Sequence, residues 1–238
     1  MNNIDIWQGK HRPKNVKPKA IGYKYNEDGT AYPFDANTIV CHIDKQGALF
    51  QKLLVIRNTL KALSFADKFG WMPSESYHMT LFGGVNDPVR RASDWSDDFS
   101  LDTPIAEITE HFINVLKSTS IPNEYQMKPF AMVTNNSGCI TLKLKPATEE
   151  SERDVREARD ILRDVTKINR PDHNEYYFHV TFTYQTKWLT EEEAILLDTK
   201  MKQLFDELFA DDESVAINKP QLCTCKTMEH FEPVLDLF

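Results

Sequence analysis

Two short stretches decide how this chain is read: Tyr77-His78-Met79-Thr80-Leu81 and Phe178-His179-Val180-Thr181-Phe182. In an extended strand, successive side chains point to opposite faces. Tyr77, Met79 and Leu81 therefore share one apolar face, and His78 and Thr80 share the other. In the second stretch Phe178, Val180 and Phe182 form the apolar face, with His179, Thr181 and Thr183 turned away from it. Each strand buries one side and presents an imidazole and a hydroxyl together on the other.

The two stretches also stand in register. An offset of 101 positions carries the first onto the second, and the same offset carries Ile39, Cys41 and Ile43 onto Ile140, Leu142 and Leu144. One offset that preserves apolar parity in two strands points to an internal duplication. Working outward, the patterns predict a strand over 37–44 and a helix over 47–64, with Leu49, Leu53, Ile56, Leu60 and Leu63 as its buried stripe. The first motif strand (76–83), a polar loop (86–104) and a helix (105–117) follow. The second half reads as strand 127–134, a turn at Asn135-Asn136-Ser137-Gly138, a strand through Ile140–Leu144, helix 148–168 and the second motif strand, 177–185. Thr190 and Glu193 form a capping-box pattern for a further helix, and 221–227 reads as a closing strand. The expected fold class is α+β, with two pseudo-symmetric lobes of sheet plus helices around a central cleft. Residues 1–36 read as an irregular N-terminal arm, and 37–238 as one two-lobed domain, with lobe one at about 37–134 and lobe two at about 135–238.

The composition bounds the function. The formal net charge is −8, and no basic stripe of the kind that grips long nucleic acid is present. The densest basic stretch, Lys10 to Lys19, is interrupted by prolines and reads as a solvated segment. No apolar run is long enough to span a bilayer, the start Met1-Asn2-Asn3-Ile4-Asp5 has no signal-like apolar region, and the four cysteines show no disulfide-rich layout. A cytoplasmic monomer without a membrane partner is expected. Cys223 and Cys225 share a strand face without a second pair at ligand spacing, and Phe82-Gly83-Gly84 lacks the Gly-Lys-Ser/Thr of a nucleoside triphosphate loop. Neither a metal nor another cofactor is expected.

The paired His-x-Thr motifs with apolar flanks resemble the signature of the two-histidine (2H) phosphoesterase superfamily, over about residues 37–227. Asn37-Thr38-Ile39-Val40-Cys41-His42, the stretch from Met72 to Phe82, and Gly22-Tyr23-Lys24 resemble one branch of it, the DUF1868 group. The resemblance implies a hydrolase acting on a cyclic or ribose-linked nucleotide phosphodiester. His78 and His179 would share acid and base roles, for which imidazole suits neutral pH. Thr80 and Thr181 would donate hydrogen bonds to the non-bridging phosphoryl oxygens. Further residues that could line the cleft are Tyr177, which shares the parity of His179, and Lys24, Lys143 and His42; Tyr77 faces the core. The expected partner is a small nucleotide-like or cyclic phosphodiester substrate, with short RNA next. Two alternatives stand beside this one: an RNA end-processing enzyme of the ligase-like type, and a non-catalytic nucleotide-binding module.

Overall fold

The computed structural model describes residues 2–135, 137–211 and 213–238. In chain order the elements are α1 (Asn3–Trp7), β1 (Ala36–His42), α2 (Ala48–Lys61), β2 (Phe69–Trp71), β3 (His78–Asn86), α3 (Ile105–Leu116), β4 (Tyr125–Thr134), β5 (Cys139–Pro146), α4 (Glu149–Thr166), β6 (Phe178–Gln185), α5 (Glu191–Leu208), β7 (Val215–Ile217), β8 (Gln221–Thr227) and β9 (His230–Asp236). Local chemistry sets their ends. The capping box of α5 forms, with the Thr190 side chain accepting from the Glu193 amide and the Glu193 carboxylate accepting from the Thr190 amide. Thr148 caps α4, whose first turn carries Glu149, Glu150 and Glu152 at the positive end of the helix dipole. The expected turn between β4 and β5 closes through Gly138 at φ +70°, while its Asn136 lies outside the described residues.

The fold is α+β, as expected, with two antiparallel sheets in the orders β3-β1-β8-β9 and β2-β6-β5-β4-β7. The sheets do not follow the division expected at residue 134. β2 and β4, from the first half, belong to the second sheet, and β8 and β9, from the C-terminal end, complete the first. A three-residue strand such as β2 is too short to show a period in sequence, which is why the exchange is not legible there.

The duplication appears in the ladders. β1 pairs His42 with His78 and Cys41 with Met79, while β5 pairs Lys143 with His179 and Leu142 with Val180. Each ladder then slips by one residue. Val40 opposes Thr80 but Ile39 opposes Phe82, leaving Leu81 extra; Thr141 opposes Thr181 but Ile140 opposes Thr183, leaving Phe182 extra. A bulge frees a carbonyl from the ladder, and a freed buried carbonyl needs another donor. Arg159 of α4 donates to the Leu81 carbonyl at 2.6 Å, and the Met72 amide donates to the Phe182 carbonyl at 2.9 Å. These bonds fix both strands just beyond the His-x-Thr motifs.

The N-terminal arm is not a loose segment. Trp7 at the end of α1 is fully buried against Phe69, its carbonyl accepts from the Gln185 side chain at 2.7 Å, and Tyr25 is fully buried against Gly70 and the Tyr184 ring. Its anchors lie too far apart in sequence to form a periodic pattern, so composition alone reads the segment as irregular. Lys14, Lys17 and Lys19, in the basic stretch, are exposed as expected.

Gly84 is where β3 passes closest to β1. A Cβ there would lie 2.0 Å from the Asn37 side-chain oxygen and 2.5 Å from the Asn37 carbonyl. Asn37 cannot retreat, because its side chain accepts from the Val85 amide at 3.0 Å and donates to Thr109 at 2.9 Å. Gly84→Ala is therefore expected to destabilise the fold by about 1–3 kcal/mol, measured by denaturant unfolding. An unchanged midpoint and slope would contradict this packing.

Candidate functional site

β3 and β6 present their motif residues to one cleft of about 260 Å3. His78 and Thr80 line one side; His179 and Thr181 line the other. The two imidazoles are held in the same way. Nδ1 of His78 donates to the Ser76 carbonyl at 2.6 Å, and Nδ1 of His179 donates to the Tyr177 carbonyl at 2.9 Å, each two residues back in the chain. With Nδ1–H engaged, the neutral ring keeps its lone pair on Nε2, the nitrogen left for a ligand. Phe231 of β9 packs against the His78 ring, with centroids 4.2 Å apart.

Burial raises the Tyr176 and Tyr184 phenols, and the neighbouring Thr80 and Thr181 hydroxyls oppose that rise. Lys24 enters from the N-terminal segment and lines the same cleft, its Nζ 3.0 Å from the Tyr184 hydroxyl. Arg170 closes another side, donating to the carbonyls of Gly83 and Gly84 and, at 3.2 Å, to Asp94. No Asp or Glu lines the cleft among the described residues, although the chain is acidic overall. The described residues also hold no group of three or more His, Cys, Asp or Glu placed to bind a metal ion.

Three sequence candidates fall outside the cleft. Tyr177 is 67 % exposed and precedes β6; its carbonyl, not its ring, serves the site by holding His179. Parity fails for it because the strand begins one residue later. Lys143 sits across the ladder from His179, with its ammonium 5.6 Å from the Tyr177 ring centre. His42 sits across from His78, with ring centroids 6.4 Å apart, but is bonded to Gln221 and lines a neighbouring depression. Thr183, expected on the motif face, is fully buried, because the bulge at Phe182 reverses the alternation.

The same reversal explains a residue that alternation misses. Tyr184 lies three positions beyond Thr181, so strict alternation puts it on the opposite face; the bulge brings both to the cleft. Arg170 gives no local signal, but the adjacent Gly83-Gly84 does. A Cβ on Gly83 would lie 3.1 Å from the Arg170 guanidinium, so the glycine marks a close approach.

Burial drives both imidazoles toward the neutral form. His78 is lowered from 6.5 to about 4, first by desolvation and then by the charges of His42, His179 and Lys24, against the opposing bond to Ser76. His179 is lowered by burial and by Lys143 and Lys24, against the bond to Tyr177. An anion between the rings reverses this balance by favouring protonation of either one.

Residues 24–137 match the family model named 2H-phosphodiest, a domain of unknown function (DUF1868); the match includes Lys24, His78 and Thr80. A conserved protein of unknown function from Agrobacterium tumefaciens str. C58 shares the fold, with a TM-score of 0.90 and 23% identity over 99% of each chain. A solved phosphoesterase superposes with a TM-score of 0.47 and 11% identity, over 87% of this chain and 99% of that chain, too weak a likeness to carry an argument. No curated protein matches the chain. The fold and paired motifs resemble those of the two-histidine phosphoesterases. The family match falls in the DUF1868 group, and the activity this suggests is on a phosphoester bond. No described helix is long and apolar enough to cross a membrane.

The depressed His78 has a consequence for stability. The unfolded chain takes up a proton near pH 6.5 that the folded state refuses until about pH 4. The stability this contributes is complete above pH 6.5 and is lost as pH falls toward 4. The unfolding temperature is expected to fall across this window, and His78→Gln to remove part of that fall. Parallel wild-type and variant profiles by calorimetry would refute the assignment.

Proposed function

We propose that this protein is a metal-independent phosphodiesterase that hydrolyses a cyclic or ribose-linked nucleotide phosphodiester by paired-histidine acid/base catalysis. The observation that carries the reading is the matched tethering of two imidazoles, each with Nδ1 on a backbone carbonyl and Nε2 left free, in a cleft with no carboxylate among its described residues. A phosphodiester is an anion with a poor leaving group. Cleaving it takes a base to activate the nucleophile, an acid to protonate the departing oxygen, and donors for the charge on the non-bridging oxygens. A neutral His and a protonated His supply the first two. Thr80 and Thr181 supply the third. Water then opens a cyclic phosphate, and the proton taken by one ring is matched by the proton given by the other.

A cleft lined by two histidines and two threonines, with no carboxylate among its described residues, is a poor donor set for a hard cation such as Mg2+ or Ca2+. The charge work falls instead to the imidazolium and neighbouring cations. The cleft is small, which favours a nucleotide-sized substrate over a long strand. Four free, buried thiols fit a cytoplasmic setting.

The test is turnover of a panel of 2′,3′-cyclic nucleotides, 3′,5′-cyclic nucleotides, cyclic oligonucleotides and ADP-ribose cyclic phosphate. His78→Ala and His179→Ala are each expected to lower kcat by about 10²–10⁴. Thr80→Val or Thr181→Val is expected to cost about 10- to 100-fold. Activity is expected to survive chelator and to show a bell-shaped pH profile belonging to the histidine pair. Full activity in both histidine variants would end the proposal. Nucleotide-induced thermal stabilisation without turnover would point instead to a binding module.

A further inference from the structure

We propose that Lys24 is the phosphate anchor of this cleft and that Tyr184 is a positioning residue that holds the Lys24 ammonium toward the same phosphate. The inference rests on the phosphoester reading above and assigns roles to two residues outside the paired motifs.

Lys24 is an expensive residue to place where it stands. Its ammonium is withdrawn from water among three aromatic rings, 4.4 Å from the Tyr184 centroid, 5.4 Å from Phe34 and 5.7 Å from Tyr23. Burial lowers its pKa. Among the described residues no carboxylate lies within salt-bridge reach of it. Attraction to ring faces offsets only part of the cost of desolvating an ammonium. A methionine would fill the space without that cost. The ammonium has three donors, and among the described residues its one side-chain hydrogen bond is to the Tyr184 hydroxyl, at 3.0 Å. The cleft beside it holds the two imidazoles and the two threonines.

The hydrogen-bond chain has a direction. An ammonium only donates, so the Tyr184 oxygen accepts from Lys24 and its own O–H is free to donate. The phenol thereby fixes where the ammonium points, into the cleft that Thr181 and His179 line, with its remaining donors left for a ligand oxygen. On the other side of the cleft Arg159 stacks on Tyr176 at 4.3 Å. That guanidinium is engaged with the carbonyls of Leu81 and His173, so it supports the ring without reaching a ligand. Lys24 is the member of the pair with donors to spare.

The backbone holds Lys24 in this role. Tyr25, its neighbour, is fully buried on the far side, where a Cβ on Gly70 would come within 2.4 Å of its ring. The Lys24 amide donates to the Ala20 carbonyl at 2.8 Å, and its carbonyl accepts from the Tyr32 amide at 2.8 Å. With Tyr25 pinned inward, Lys24 is turned toward the cleft. The N-terminal segment is thereby part of the site.

The experiment is calorimetric titration of the full chain with inorganic phosphate, beside Lys24→Met, Lys24→Arg, Tyr184→Phe and, as a control on the same segment, Lys17→Met. Lys17 is exposed and paired with Glu27. Phosphate affinity is expected to fall about tenfold or more in Lys24→Met and about fivefold in Tyr184→Phe, to stay within about threefold of wild type in Lys24→Arg, and to hold in Lys17→Met. Lys24→Met is expected to melt no lower than wild type, which a structural role for the charge would not allow. Wild-type phosphate affinity in Lys24→Met, or no saturable phosphate binding by the wild-type chain at tens of millimolar, would overturn the proposal. Should Lys24→Met not fold, unchanged affinity in Tyr184→Phe would do so. Binding is read without turnover, so full activity in His78→Ala and His179→Ala would sink the acid/base reading while leaving this result intact.

Discussion

One extra residue in each motif strand governs the rest of the site. A bulge after Thr80, at Leu81, and its counterpart after Thr181, at Phe182, let each strand show its imidazole and hydroxyl to the cleft and then turn. An unbulged strand would keep alternating, and Tyr184 would face away from Thr181. A bulge also frees a carbonyl, and the fold answers each one differently, with a buried guanidinium at Leu81 and a backbone amide at Phe182. Removing the Arg159 donor would leave two buried carbonyls unpaired, those of Leu81 and His173, at a cost of about 1–3 kcal/mol each. Helix α4 therefore serves the cleft without touching it.

The electrostatics follow from the same arrangement. The cleft concentrates Lys24 and two imidazoles where no carboxylate lines it among the described residues, with Arg170 paired to Asp94 at its edge, on a chain of formal charge −8. Such a site is unfavourable when empty. Each imidazole responds by losing its proton, and the Lys24 ammonium holds its proton less firmly for the same reason, burial. An arriving phosphoryl group relieves all of these at once. Global charge is thus a poor guide to the ligand here, because field at the cleft is set by a few desolvated groups at short range.

Much of this was legible in the sequence, and the exceptions have physical causes. The alternation of Tyr77–Leu81 and Phe178–Phe182 and the single offset between them disclosed the paired strands, because apolar parity is a local property. Sheet membership was not disclosed, because β2 pairs with β6 across more than a hundred residues and is three residues long. Tyr177 was misplaced because parity was extended one residue past the start of β6, and Thr183 because parity was extended through a bulge. Arg170 and Tyr176 lie outside regular strands, where no period exists to orient a side chain. The glycines were the usable signal: Gly83 and Gly84 mark approaches by Arg170 and Asn37 that a side chain would block.

The exchange of strands between the two halves bears on why the cleft keeps its shape. Were each half to fold as its own sheet, the lobes would be joined by a tether and a side-to-side contact, and the distance between the imidazoles would vary with it. Instead β2 leaves the first half to pair with β6, and the chain returns through Met72, bonded to Phe182, directly into His78 of β3. The backbone path from one motif strand to the other is thus a few residues of hydrogen-bonded chain. The N-terminal segment adds a second tie, with Trp7 bonded to Gln185 at the end of β6 and Lys24 reaching the cleft beside Tyr184. Acid/base catalysis by two fixed groups loses rate steeply when they drift by an ångström or so. Crossed connectivity is a direct way to hold them, since separating the lobes requires breaking a sheet rather than opening a hinge.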